Sequence, residues 1–242
     1  MNSDFAKILI PLIDLTQLNG GDTPKTIEQL CHQAKTLYGS VAAVCIYPQF
    51  VEQVRFLLAG VPIKVATVAN FPTGNQITAG LYGSQLNNRG SMKVLMKLTL
   101  LCLIKATSRE CEGGQSIPGS LSRHVRPPGN FESDFRNRRL IKRDIIFDAT
   151  NLAIRAGDDF IKTSTGKLPS GATIEAAEII LEAIQNHTNK RLGLKISGGI
   201  QTLEQAVLYI QLVKDKMGAA WITPQTLRFG ASRLLADIMQ SL

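Results

Sequence analysis

The chain reads as an α/β protein built on a parallel sheet, either wound open or closed into a (β/α)8 barrel. Three observations carry this expectation. The apolar runs are short and continuous rather than alternating, as in parallel strands buried on both faces. Helical stretches separate these runs in regular alternation. A length of 242 residues suits one large barrel or two modest domains.

In chain order, "ILIPLIDLT" (Ile8 to Thr16) is a short apolar run ending in polar residues. "DTPKTIEQLCHQAKTL" follows as a helix, with Asp22 or Thr23 as N-cap and Pro24 in the first turn; Ile27, Leu30, Ala34 and Leu37 share one face. Next come a strand in "VAAVCIYP" (Val41 to Pro48), a helical stretch near Phe50 to Leu58, and a strand in "IKVATVANFP" (Ile63 to Pro72). The rhythm then breaks and resumes after Arg143. A helix through Ala149 to Ala156, ending at Gly157, leads into "FIKTS", and "TIEAAEIILEAIQNH" leads into "LGLKISGG". "QTLEQAVLYIQLVKDKMG" is closed by Gly218, and "LRFGAS" is a last strand before a terminal helix. Six strands are legible. A closed eight-stranded barrel needs two more.

No apolar run reaches the roughly 18 residues that span a bilayer, and the start lacks a basic leader and cleavage site. Cys31, Cys45, Cys102 and Cys111 form no CxxC pair, so a reduced, cytoplasmic setting without structural metal is expected. The formal charge of +8 would suggest nucleic acid, but its distribution argues otherwise. The segment from Leu81 to Arg143 holds 12 of the 27 basic and 4 of the 19 acidic residues, leaving 15 of each elsewhere. All the excess sits in one segment.

Two strands carry a lysine near their C-terminal ends, Lys162 in "DDFIKTSTGK" and Lys195 in "LGLKISGGI". Catalytic groups of barrels lie at that end, and adjacent parallel strands run about 4.8 Å apart. A like charge and desolvation both lower a lysine's pKa. The resulting free amine can attack a carbonyl and form a Schiff base, an electron sink suited to breaking or making carbon–carbon bonds. The alternative for either lysine alone is a side chain that snorkels to solvent. "STGK" (Ser164 to Lys167), "SGG" (Ser197 to Gly199) and "GAS" (Gly230 to Ser232) follow three successive strands, and such turns expose backbone N–H groups to a phosphate.

Together "LIDLTQL", "VCIYP", "VATVANFPTGN", "DFIKTSTGK", "LKISGG" and "RFGAS" resemble the deoxyribose-phosphate aldolase family, class I aldolases on a (β/α)8 barrel. The matches lie in order over residues 8–76 and 144–235; "FIKTSTGK" with a downstream "K-x-SGG" is the specific part. The resemblance implies that Lys162 is the Schiff-base lysine and that Lys195 tunes it. It implies that Asp14, Thr16 and Cys45 line the substrate pocket, plain strand packing being the alternative for Thr16 and Cys45. Gly166, Lys167, Gly198, Gly199, Gly230 and Ser232 would hold the phosphate, while Arg233 stands where the family has a serine. The implied reaction is reversible cleavage of 2-deoxy-D-ribose 5-phosphate to acetaldehyde and glyceraldehyde 3-phosphate in deoxyribonucleoside catabolism. It uses no metal or organic cofactor, no nucleic acid and no membrane, and the sequence admits a homodimer without specifying one. A transaldolase-like Schiff-base lyase and a non-catalytic protein binding nucleic acid through the basic segment are the competing readings.

The family carries two further strands, of the forms "ADE-x-D-x-V" and "LKVI-x-ETG", and neither is present. The genetic code suggests why. A Met-Lys pair read from its third base encodes Glu, so Met92-Lys93 and Met96-Lys97 conceal two glutamates. With suitable synonymous codons, that frame from Met92 to Lys105 reads "EGADEIDLVMPYK", and the second-base frame from Asn130 to Leu140 reads "ILKVILETGA". Three single-base slips of one sign account for both, near Gln76–Ser91, Ala106–Gly113 and Leu140–Lys142. Residues from about 77 to 140 therefore read as an out-of-frame translation inside one barrel domain spanning 1–242. Strands 4 and 5 are disrupted, and Cys102, Cys111 and His124 need no role. The literal chain is expected to fold poorly and to have little activity.

Overall fold

Pro11 has no N–H to give a sheet, and it divides the first apolar run. In a computed structural model, helix α1 (Asn2–Leu9) passes through a 3-10 turn at Ile10–Leu12 into β1 (Ile13–Thr16). The structure describes residues 2–68, 71, 134–155, 158–167, 171–187 and 192–242. The "ANFPTGN" part of the third strand motif, Phe71 apart, lies outside them. So does the segment proposed to be out of frame, except for backbone at its C-terminal end.

Helix α2 (Pro24–Gln33) starts as expected at Thr23, in a capping box shared with Thr26. A two-strand hairpin, β2 (Lys35–Thr36) and β3 (Gly39–Ser40), follows and had no counterpart in the sequence reading. Then come β4 (Ala43–Ile46), α3 (Val51–Leu57) and β5 (Lys64–Thr67). Helix α4 (Asp134–Arg155) begins far upstream of Ala149, before Arg143, where the rhythm was expected to resume. Its later turns carry Ile146, Ala149 and Ala153, which are buried at helical spacing. The rest alternates: β6 (Phe160–Lys162), α5 (Ile174–Gln185), β7 (Gly193–Ser197), α6 (Leu203–Met217), β8 (Leu227–Ala231) and α7 (Leu234–Gln240).

All six expected strands form one parallel sheet in the order β5-β4-β1-β8-β7-β6. The first long strand pairs with the last, as in a (β/α)8 barrel, and β5 and β6 are the outer strands among the described residues. Odd and even positions then divide between two faces. Ile13, Leu15, Val44, Ile196 and Phe229 join the main core with the helices. Asp14, Lys162, Lys195 and Arg228 alternate with such residues and are buried on the other face, inside the curl.

Candidate active site

Register brings the two lysines together. Lys162 on β6 is the pairing partner of Lys195 on β7, which is in turn the partner of Arg228 on β8. Three cations therefore occupy one row across three neighbouring strands, and all are buried: 8% of Lys162, 2% of Lys195 and 4% of Arg228 remain exposed. Buried charges need partners. Asp14 on β1, fully buried, supplies one for two of them. Lys195 Nζ donates to Asp14 Oδ2 at 2.5 Å, and Arg228 Nη1 donates to Asp14 Oδ1 at 2.6 Å.

The electrostatics follow from this geometry. Burial alone would push the Asp14 carboxyl up, but Lys195 and Arg228 together hold it below the usual carboxylate range. Among the described residues, no carboxylate is paired with Lys162 in this way. Burial and the neighbouring Lys195 push its amine down to about 8, against opposing pulls from Cys45 and Asp14. An amine at that value is partly free near neutral pH, the state in which it attacks a carbonyl.

The remaining site residues divide. Cys45 is buried on β4, opposite Thr16 of β1, beside Leu18, Ala66 and Val68. Thr16 is half-buried, and its hydroxyl donates to the Asp14 carbonyl at 2.8 Å. The three glycine turns converge, because β6, β7 and β8 are neighbours. Gly166, Gly198 and Gly199 have positive φ, and a side chain on Gly166 would start 3.7 Å from the Gly198 Cα. The Gly166 N–H donates to Ser164 Oγ at 3.0 Å. Lys167 and Ser232 are exposed. Arg233 is exposed too, 3.5 Å from Gln201 Oε1. Gly230 lies under the Lys195 side chain, and its carbonyl accepts from Ser197 Oγ at 3.2 Å.

Arg228 was not singled out from the sequence. The signal was available: "LRFGAS" places a cation in an apolar strand, two residues before Gly230 and so on the same face. Phe160 was also missed. Its ring lies 5.4 Å from the Arg228 guanidinium carbon and occupies the space that a side chain at Gly193 would need.

Comparisons with known proteins identify the family. The family model described as DeoC/LacD family aldolase matches residues 101–238. The deoxyribose-phosphate aldolase of Agrobacterium fabrum strain C58 is 36% identical over 244 residues, covering 99% of this chain and 92% of that protein. A crystal structure from Toxoplasma gondii ME49, assigned as a deoxyribose-phosphate aldolase, superposes with a TM-score of 0.71 at 18% identity; 99% of this chain and 96% of that one are covered. The tetrameric deoxyribose phosphate aldolase of Aeropyrum pernix gives 0.61 at 19% identity, over 100% and 92% of the two chains. These two solved structures share the fold, and the family match and the Agrobacterium relative show that the chain belongs to the DeoC/LacD family of aldolases.

Proposed function

We propose that this chain is a class I aldolase that cleaves 2-deoxy-D-ribose 5-phosphate reversibly to acetaldehyde and glyceraldehyde 3-phosphate, with Lys162 as the Schiff-base lysine. The observation that carries this is the pairing of Lys162, whose amine burial pushes down to about 8, with Lys195, which is held by Asp14. The free Lys162 amine adds to the sugar aldehyde, and loss of water leaves an iminium. Lys195, the strand neighbour held by Asp14, is suited to supply the proton that the departing hydroxyl takes. The iminium accepts the electron pair of the C2–C3 bond as that bond breaks, while the C3 hydroxyl loses its proton and becomes the new aldehyde. The enamine is then protonated at C2 and hydrolysed, releasing acetaldehyde and Lys162.

Asp14 is poorly suited to take the C3 hydroxyl proton, because its two oxygens accept from Lys195 and Arg228. The resemblance assigns that task to an aspartate of the "ADE-x-D-x-V" strand, absent from this sequence. The turns after β6, β7 and β8 are the proposed phosphate cradle, through Gly166, Lys167, Gly198, Gly199, Gly230 and Ser232. Thr16 and Cys45 complete the proposed pocket wall. The proposed setting is cytoplasmic; no helix among the described residues is long and apolar enough to cross a membrane. Residues 77–140 are proposed to be out of frame in a single domain. Sequencing the gene across codons 76 to 143 tests this, and three confirmed slips predict a chain with little turnover.

Borohydride reduction in the presence of acetaldehyde tests the central step. Wild-type protein is expected to gain an ethyl group on Lys162, located by peptide mass, and K162M none. Ethylation spread over surface lysines with Lys162 unmodified would overturn the Schiff-base reading.

A further inference from the structure

No step above is assigned to Arg228, yet its guanidinium is held at three points. Its Nε donates to the Pro224 carbonyl, its Nη1 to Asp14 Oδ1, and its guanidinium carbon lies 5.4 Å from the Phe160 ring centroid. The ring sits there because residue 193 is glycine. A Cβ on Gly193 would come within 2.3 Å of a Phe160 ring atom. A backbone carbonyl, an aromatic face and a carboxylate thus hold one guanidinium from three sides. Such a group is always charged, and it presents its donors in a rigid fork.

We propose that Arg228 is a positioning residue of the site: it clamps one oxygen of Asp14 so that the other is presented to Lys195, and it takes up part of the carboxylate charge that would otherwise act on Lys162. The proposal rests on the Schiff-base reading for its catalytic meaning, but the electrostatic claim stands apart from it. Among the described residues, the titratable groups acting on Lys162 are Lys195 on β7, Asp14 on β1 and Cys45 on β4. Arg228 on β8 acts through Asp14. With the guanidinium in place, Asp14 divides its charge between two cations. Without it, the whole carboxylate charge is left to the lysines, and Lys162 holds its proton to higher pH.

The test uses the full chain and reads Lys162 directly. Competitive acetylation with trace acetic anhydride, followed by peptide mass analysis, gives the pH midpoint at which Lys162 becomes a free amine. This needs no aldolase activity. In R228M the midpoint is expected to rise by about one pH unit. In R228K, which keeps the charge but not the fork, the midpoint returns toward wild type. Borohydride trapping of acetaldehyde at high pH stays about tenfold slower in R228K. A midpoint in folded R228M equal to wild type overturns the proposal. Should R228M fail to fold, R228K decides alone: trapping at the wild-type rate overturns it. If wild-type Lys162 acetylates normally but traps no acetaldehyde, the Schiff-base reading fails while the midpoints still judge the positioning role.

Discussion

Lys195 reaches Asp14 by passing over Gly230. β8 lies between β7 and β1, so the lysine must cross an intervening strand to reach its carboxylate. A Cβ built on Gly230 would stand 2.8 Å from Lys195 Cε and 3.0 Å from Ser197 Oγ. The backbone of Gly230 is not in the left-handed region, so the constraint is space rather than conformation. G230A is therefore expected to cost about 1–3 kcal/mol by overpacking, read from the denaturant midpoint. A midpoint at the wild-type value would show that the lysine chain moves aside freely.

The same crossing makes Asp14 the keystone of the charge row. D14N leaves Lys195 and Arg228 buried without their carboxylate, expected to cost about 3–5 kcal/mol. The pH dependence has a definite sign. The folded Asp14 carboxyl sits below its ordinary value of 3.8, so its contribution is present above that value and is lost as pH falls through the folded pKa. Thermal melts from pH 7 downward should show wild type converging on D14N only in strong acid. Parallel curves would mean that the pair contributes nothing.

For Lys162 stability also rises with pH, but here the buried charged form is the disfavoured one. Its pKa falls from 10.5 unfolded to about 8 folded, so below pH 8 the folded state bears the full cost of a buried charge. Stability should rise between about pH 8 and 10.5, where the unfolded chain binds the extra proton. K162M removes the buried charge and keeps an apolar stem. It is expected to abolish imine trapping and to gain stability, by roughly 2–3 kcal/mol at most, at neutral pH. The gain should vanish at high pH. Equal melting temperatures for K162M and wild type at pH 7 would contradict the buried charge.

The proposed phosphate and imine roles can be separated through Lys167. It is exposed in the turn after β6, whereas Lys162 is buried within the strand. K167A should raise KM for 2-deoxy-D-ribose 5-phosphate about tenfold, a loss of about 1.4 kcal/mol. It should leave acetaldehyde trapping on Lys162 unchanged, because acetaldehyde has no phosphate. An equal loss of both would place Lys167 with the reacting groups instead.

Much of this was legible because the signals are local. A charge inside an apolar strand marked Lys162 and Lys195, and continuous apolar runs marked all six strands. The same rule applied to "LRFGAS" would have marked Arg228. Its importance lies in partners 214 and 4 residues away, which no local pattern displays. The N-terminal helix α1 was hidden because its apolar residues merge with those of β1 until Pro11 separates them. The early start of α4 was hidden because Arg136, Arg138 and Arg139 gave that stretch the look of a basic loop.

The pairing of β1 with β8 has a consequence in time as well as space. Asp14 emerges early during synthesis, whereas Lys195 and Arg228 follow 181 and 214 residues later. A nascent chain therefore holds its key carboxylate long before either counter-ion exists. Contacts of such separation close late and slowly. The site cannot assemble piece by piece from the N-terminus; it comes into being only when the final strand docks. A chain cut before β8 would keep both lysines and lose the clamp on Asp14.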